Sequence, residues 1–256
     1  MNAGLSDSID AFMASYAGID GGNPKASIWI CGIEHGGDFE SLKMPLRPEH
    51  NLSSWDDDFR SQHPEYCTWQ YHRKVAKLMV ALRDLQGNFS RPSPPEDAWR
   101  QYLKDELYVS GGESFKLNLF PLSSPSVNSS KWREFYSEHL GFESKDCYYK
   151  RCRNVRFPFL NKIREEFRPH IVLGTGKTFR SDFSHAFGFD ENSEICIKIG
   201  KTSQRDCYLY EDNYGVLIVC PFFGGRYGIN SDELLFDLAK LIDKKRVERA
   251  LRQDKP

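Results

Sequence analysis

No stretch of this 256-residue chain is apolar for long enough to cross a bilayer. The longest runs, such as 171–173 and Val216–Cys220, suit core strands. The first eight residues, Met-Asn-Ala-Gly-Leu-Ser-Asp-Ser, lack the basic and then apolar regions of a secretory signal. Regular cysteine spacing is missing too. Seven cysteines fall at no repeating interval, which excludes a disulfide scaffold and points to reduced thiols in a cytoplasmic protein. Charge of one sign is absent: 35 Lys and Arg stand against 36 Asp and Glu, a net charge of −1, so an obligate polyanion coat is not indicated. There is no internal repeat or low-complexity tract. What is present, 39% hydrophobic and 28% charged residues, is the composition of a globular chain long enough to bury a sizeable core.

Along the chain, apolar residues at helical spacing over 6–16 predict a first helix. A strand over 27–31 runs straight into Gly32-Ile33-Glu34-His35-Gly36-Gly37. Residues 38–64, polar and acidic, read as a long loop, either a lid or an insertion. Amphipathic helices are expected over 66–85 and around 99–107, a second strand over 115–120, and further helices over 131–139 and 158–167. The run 169–174 predicts a third strand with a short helical segment after it. Segments 194–199 and 206–211 look like a strand pair near an edge, and 215–220 is a fourth apolar strand. A last helix runs from about 231 to 251, with Asn230 as N-cap and Glu233 at capping-box spacing. Short, almost continuously apolar strands alternating with helices predict one α/β sandwich domain over 1–256, built on a mostly parallel sheet covered on both faces. Ligands of such folds bind outside the carboxyl ends of the strands, and three of the four ends here are polar or glycine-rich.

Gly-Lys-Thr at 176–178 lacks the opening glycine of a phosphate-binding loop, and the turn is too short to wrap a triphosphate. Cys147 and Cys152 have no matching pair or histidines at zinc spacing, so no metal site is expected. Residues 145–180 hold ten basic side chains against three acidic ones, with aromatics interleaved, a local strip of the kind that contacts a nucleic-acid backbone. Lys150, Arg151, Arg153 and Lys177 are its candidate phosphate-binding residues. Glu34 and His35, between glycines at a strand end, suit a water-activating carboxylate and a proton-carrying or hydrogen-bonding imidazole. Asn118, polar in an otherwise apolar strand, offers the donor–acceptor pair that reads a base edge. The loop over 221–228 presents Phe222, Phe223, Tyr227 and Arg226 among glycines, suited to wedging or stacking.

Together these strand-end segments resemble the uracil-DNA glycosylase superfamily, over residues 27 to about 240. That family has a Gly-x-Asp/Asn-Pro-Gly/Tyr motif after its first strand, an asparagine ending a central strand, and His-Pro-Ser after the last. Gly-Ile-Glu-His-Gly at 32–36 is similar to the first motif, with Glu34 where the family keeps its water-activating residue and His35 in place of proline. Asn118 falls at the base-reading asparagine, Phe39 where a ring stacks on the base, and Cys220-Pro221-Phe222 at His-Pro-Ser. The resemblance implies a three-layer α/β/α sandwich with a central, mostly parallel four-stranded sheet, and hydrolysis of the N-glycosidic bond of a deaminated or damaged base in DNA or another nucleic acid, without cofactor. Phe222 or Phe223 would be the wedge, and His35 or Arg226 would offset charge on the leaving base. Cys220 departs from the family's histidine, and a neutral thiol is a poor substitute donor. Two other readings follow: a catalytically inactive nucleic-acid or nucleotide binder of the same fold, and a hydrolase of small nucleosides or other N-glycosides.

Overall fold

In the computed structural model, the alternation of apolar runs with amphipathic segments becomes, among the described residues, the seven strands and seven α-helices whose bounds are given below. The structure describes residues 3–37, 45–87, 93–124, 136–137 and 139–253. The strands are β1 (Gly21–Gly22), β2 (Ile28–Gly32), β3 (Ser114–Asn118), β4 (Ile171–Thr175), β5 (Ile195–Ile199), β6 (Arg205–Glu211) and β7 (Val216–Cys220). The helices are α1 (Ala3–Met13), α2 (Asp57–Gln62), α3 (Gln70–Gln86), α4 (Glu96–Asp105), α5 (Lys145–Phe167), α6 (Arg180–Ala186) and α7 (Asp232–Gln253).

All the strands form one sheet in the order β1-β3-β2-β4-β7-β6-β5. The central four, β3-β2-β4-β7, are parallel, while β1, β6 and β5 pair antiparallel. The expected parallel strands are therefore the middle of a wider, mixed sheet. The strand pair expected near an edge extends it through β6, and β1 escapes prediction because two glycines carry no hydrophobic pattern.

Period-2 alternation divides the core. Ile28 and Ile30 of β2 join one cluster with Ile171, Leu173, Ile218 and residues of α3, α4 and α7. Trp29 and Cys31 point into a second cluster with Phe115, Leu117, Val172, Val219 and residues of α1, α5 and α6. Each face of the sheet is thus sealed by helices, as near-continuously apolar parallel strands require.

Several boundaries differ from those expected. Helix α5 begins at Lys145, not at Pro158. The Ser144 hydroxyl accepts the amide of Cys147 at 3.2 Å as its N-cap, and Pro158 lies inside the helix on its exposed side. Ser231, rather than Asn230, caps α7: its hydroxyl accepts from Leu234 N at 3.2 Å, while the Asn230 amide turns back to Gly225 O. The described part of the expected 38–64 loop has structure of its own. Residues 45–56 run as a strap along the β1 edge of the sheet, with Ser53 O accepting from Gly22 N and Trp55 N donating to Tyr108 O, and α2 follows. The helix expected over 131–139 falls largely outside the described residues. No described helix is long and apolar enough to cross a membrane.

Candidate functional site

The register sets Gly32 beside Asn118 and Thr175 beside Cys220, so four parallel strands end in one row. Past that row the exit turns stay paired: Leu119 N donates to Gly32 O, Phe120 N to Ile33 O and Ser124 N to His35 O. Alternation along β3 sends Lys116 and Asn118 to the same face, away from Phe115 and Leu117.

There the sequence's Asn118 meets residues that it did not announce. The Lys116 ammonium donates to Asp20 Oδ2 at 3.0 Å, to Asn118 Oδ1 at 2.7 Å and to Leu117 O at 2.9 Å. The Asn118 amide donates to Asp20 Oδ2 at 3.1 Å. His35 approaches from the β2 turn. Its Nε2 lies 3.0 Å from Gly18 O, an acceptor only, so Nε2 carries the proton, and Nδ1 lies 3.6 Å from Asp20 Oδ1. Burial alone would raise the Asp20 pKa, but Lys116, His35 and His72 outweigh it and hold the carboxyl ionised well below the usual range.

Glu34 takes the other direction. Its carboxylate accepts from Lys145 Nζ of α5 at 2.9 Å and from Tyr149 Oη at 3.3 Å, and Lys145 also donates to Ser124 Oγ at 2.9 Å. The two side chains are only 6% and 12% exposed, respectively. Burial pushes the Glu34 pKa up; Lys145, Tyr149 and Ser124 oppose that without cancelling it. Adjacent residues thus serve two carboxylate environments, Glu34 being one carboxylate and His35 serving the other, Asp20.

Beyond Lys116 the site continues as rings. Its Nζ lies 5.5 Å from the Tyr71 ring centroid, and Tyr71 stacks on Phe222 at 5.6 Å. Thr175 donates its one hydroxyl proton to Cys31 O, so the 2.9 Å bond between Tyr71 and Thr175 is donated by Tyr71. Phe222 is 50% exposed and Arg226 lies beside the exposed Tyr227. Arg205 braces this loop by donating to Gly228 O and Arg226 O. Phe223, only 1% exposed, is core and does not project as a wedge, because Tyr71 and the α7 cluster surround it. Cys220 is also fully buried, its thiol pushed well up by desolvation, so it is inert rather than a donor at the site. Phe39 lies outside the described residues.

The basic strip is largely compensated. Arg151 pairs with Asp10, Arg153 with Asp182, Arg164 with Asp212, Lys177 with Asp206 and Arg180 with Glu194, while Arg156 is buried on the carbonyls of Met13 and Ser15. Lys150 is exposed and, of the four proposed phosphate contacts, has no ion pair among the described residues. Partners drawn from distant segments made this neutralisation invisible to local counting. A sequence signal did exist for Lys116, whose i, i+2 spacing from Asn118 marks one strand face. For Asp20, Tyr71 and Thr175 there was none. No family model matches the chain, and no curated protein matches it.

Proposed function

We propose that the carboxyl end of the sheet hydrolyses the N-glycosidic bond of a nucleobase. The observation that carries this reading is the pair of carboxylates past the strand ends. Glu34 is held by Lys145 and Tyr149, and Asp20 by Lys116, Asn118 and His35. These settings push Glu34 upward and Asp20 downward in pKa. Sites that separate acid–base roles do so through such environments. Glu34, nearer to neutrality, accepts a proton from water as its oxygen attacks the anomeric carbon. The carbon–nitrogen bond breaks, its electron pair leaves with the base, and the proton balance is closed on the base nitrogen. The ionised Asp20 offsets the positive charge that develops on the sugar, while the His35 imidazole N–H and the Lys116 ammonium stabilise the negative charge on the departing base. Asn118 already spends its amide on Asp20 and Lys116, so reading a base edge requires it to exchange one of these partners. Phe222 and Tyr227 supply exposed ring surface beside the site for a base extruded from a strand. The resemblance to uracil-DNA glycosylases in the order of the strand-end segments supports the same reading.

The compensated 145–180 strip favours a second reading, a small nucleoside as substrate, because backbone contact needs uncommitted cations. The test measures free-base release from uracil-, hypoxanthine- and xanthine-containing single- and double-stranded DNA, and from the matching nucleosides. Glu34→Gln and Asp20→Asn are each expected to slow release by at least about 100-fold. Release from nucleosides alone selects the second reading. Binding without release from any substrate rejects hydrolysis and leaves a binding protein.

A further inference from the structure

The two edges of the sheet are treated differently. At one edge β1 is two residues long, and Gly22 N is already bonded to Ser53 O of the strap. At the other, β5 runs for five residues with no described strand beyond it. Its sequence, Ile-Cys-Ile-Lys-Ile, has no proline and one charge. Ile195 is 53% exposed, and Cys196 and Lys198 are exposed as well. Natural edges are blunted by shortness, bulges, prolines, charges or a covering segment. The first edge is short and covered; among the described residues, β5 carries Lys198 as its one charged residue.

We propose that β5 pairs antiparallel with β5 of a second copy of this chain, joining two sheets into one. An antiparallel strand can meet itself about a two-fold axis, the commonest symmetry of soluble oligomers. The side chains choose the register. With the axis at Cys196, Ile195 lies opposite Ile197 of the other copy, and Glu194 lies opposite Lys198, twice over by symmetry. With the axis at Ile197, Ile195 faces Ile199, Cys196 faces Lys198, and Glu194 meets Gly200, so the opposite charges are not matched. Cross-strand pairs of opposite charge and of β-branched residues favour the first arrangement. Glu194 already pairs with Arg180 through Oε2, at 3.1 Å, and the Tyr210 hydroxyl donates to the same oxygen, so Lys198 of the other copy would share this carboxylate through its second oxygen. Ile197 is anchored from behind against the α3/α7 core, so the strand presents its outer edge on a fixed base.

Sedimentation equilibrium of the full chain over a range of concentrations reads the association directly. The expected result is a concentration-dependent dimer. Ile195→Lys, at an exposed position, should raise its dissociation constant by at least about tenfold, and Lys198→Glu by a few-fold with reduced sensitivity to salt. Circular dichroism checks that both variants keep the wild-type fold. A short bismaleimide should join two wild-type chains through Cys196, and Cys196→Ser should abolish that product although Cys147 remains exposed. A chain that stays monomeric throughout overturns the proposal. So does a dimer indifferent to both substitutions, or a cross-link that survives Cys196→Ser.

Discussion

Gly32 is a glycine for reasons of space. A Cβ at this position would lie 2.5 Å from Asn118 Oδ1 and 3.2 Å from Lys116 Nζ, both members of the ion-paired cluster on Asp20. Asn118 cannot retreat without giving up its bonds to Lys116 and Asp20, so the clash falls on a group with little freedom to move. Gly32→Ala is therefore expected to destabilise the protein by about 1–3 kcal/mol, the usual cost of overpacking. In an Asn118→Ala background the obstructing oxygen is gone, and the added methyl should cost much less. Urea denaturation of the two single variants and the double variant measures that coupling. Additive effects would show that Gly32 is not making room for the Asn118 amide. The same residue shows what local sequence reveals about the site. Its place at the end of an apolar strand pointed to the turn, but only the β2–β3 register tells which side chain it accommodates.

At the scale of elements, the legible features were those whose signal is local. The four parallel strands are apolar runs bounded by turns, and β5 and β6 were recognisable as an edge pair. The features missed depended on absence or distance. Two glycines at β1 have no periodicity, and Pro158 looked like a helix start because its exposed setting on α5 cannot be seen in one dimension. Glu34 and His35 were found together, yet their division between Lys145 and Asp20 is decided by segments 111 and 15 positions away. The start of α7 makes the point testable. Asn230 and Ser231 are both good caps by residue type, and only geometry awards the Leu234 amide to Ser231. Ser231→Ala should cost about 1 kcal/mol, whereas the Asn230 side chain reaches only Gly225 O of the exposed loop, and Asn230→Ala should cost distinctly less. Thermal or chemical denaturation of the pair checks the order, and a larger loss at Asn230 would contradict it.

For the whole molecule, near-neutral net charge reflects internal compensation more than a lack of charged groups. The cations of 145–180 find carboxylates on α1, α6 and the β5–β7 region, and the buried charges around Asp20 depend on one another. This arrangement sets the pH response. Burial keeps the His72 imidazole neutral, with its pKa down to about 3, against ~6.5 in an unfolded chain. Between those values the unfolded chain binds a proton that the folded chain refuses, so stability must fall as pH drops through that window. Burial depresses His170 as well, in the same direction. Asp20, held low, contributes stability above the ordinary carboxylate pKa and loses it as pH falls further. Glu34, held high, has the opposite sign: its contribution is complete at low pH and fades as pH rises through its folded pKa. His72 and His170 both act to lower stability on acidification between about pH 6.5 and the carboxylate range, and there the urea midpoint is expected to decline. His72→Phe keeps a ring among Trp55, Trp69 and Tyr108 while removing the titrating group, so it should flatten much of that decline. Its effect on folding at pH 7 is measured separately and does not alter the slope comparison. Equal slopes in the variant and the parent would mean that the acid sensitivity lies elsewhere and that His72 is not the group whose burial sets it.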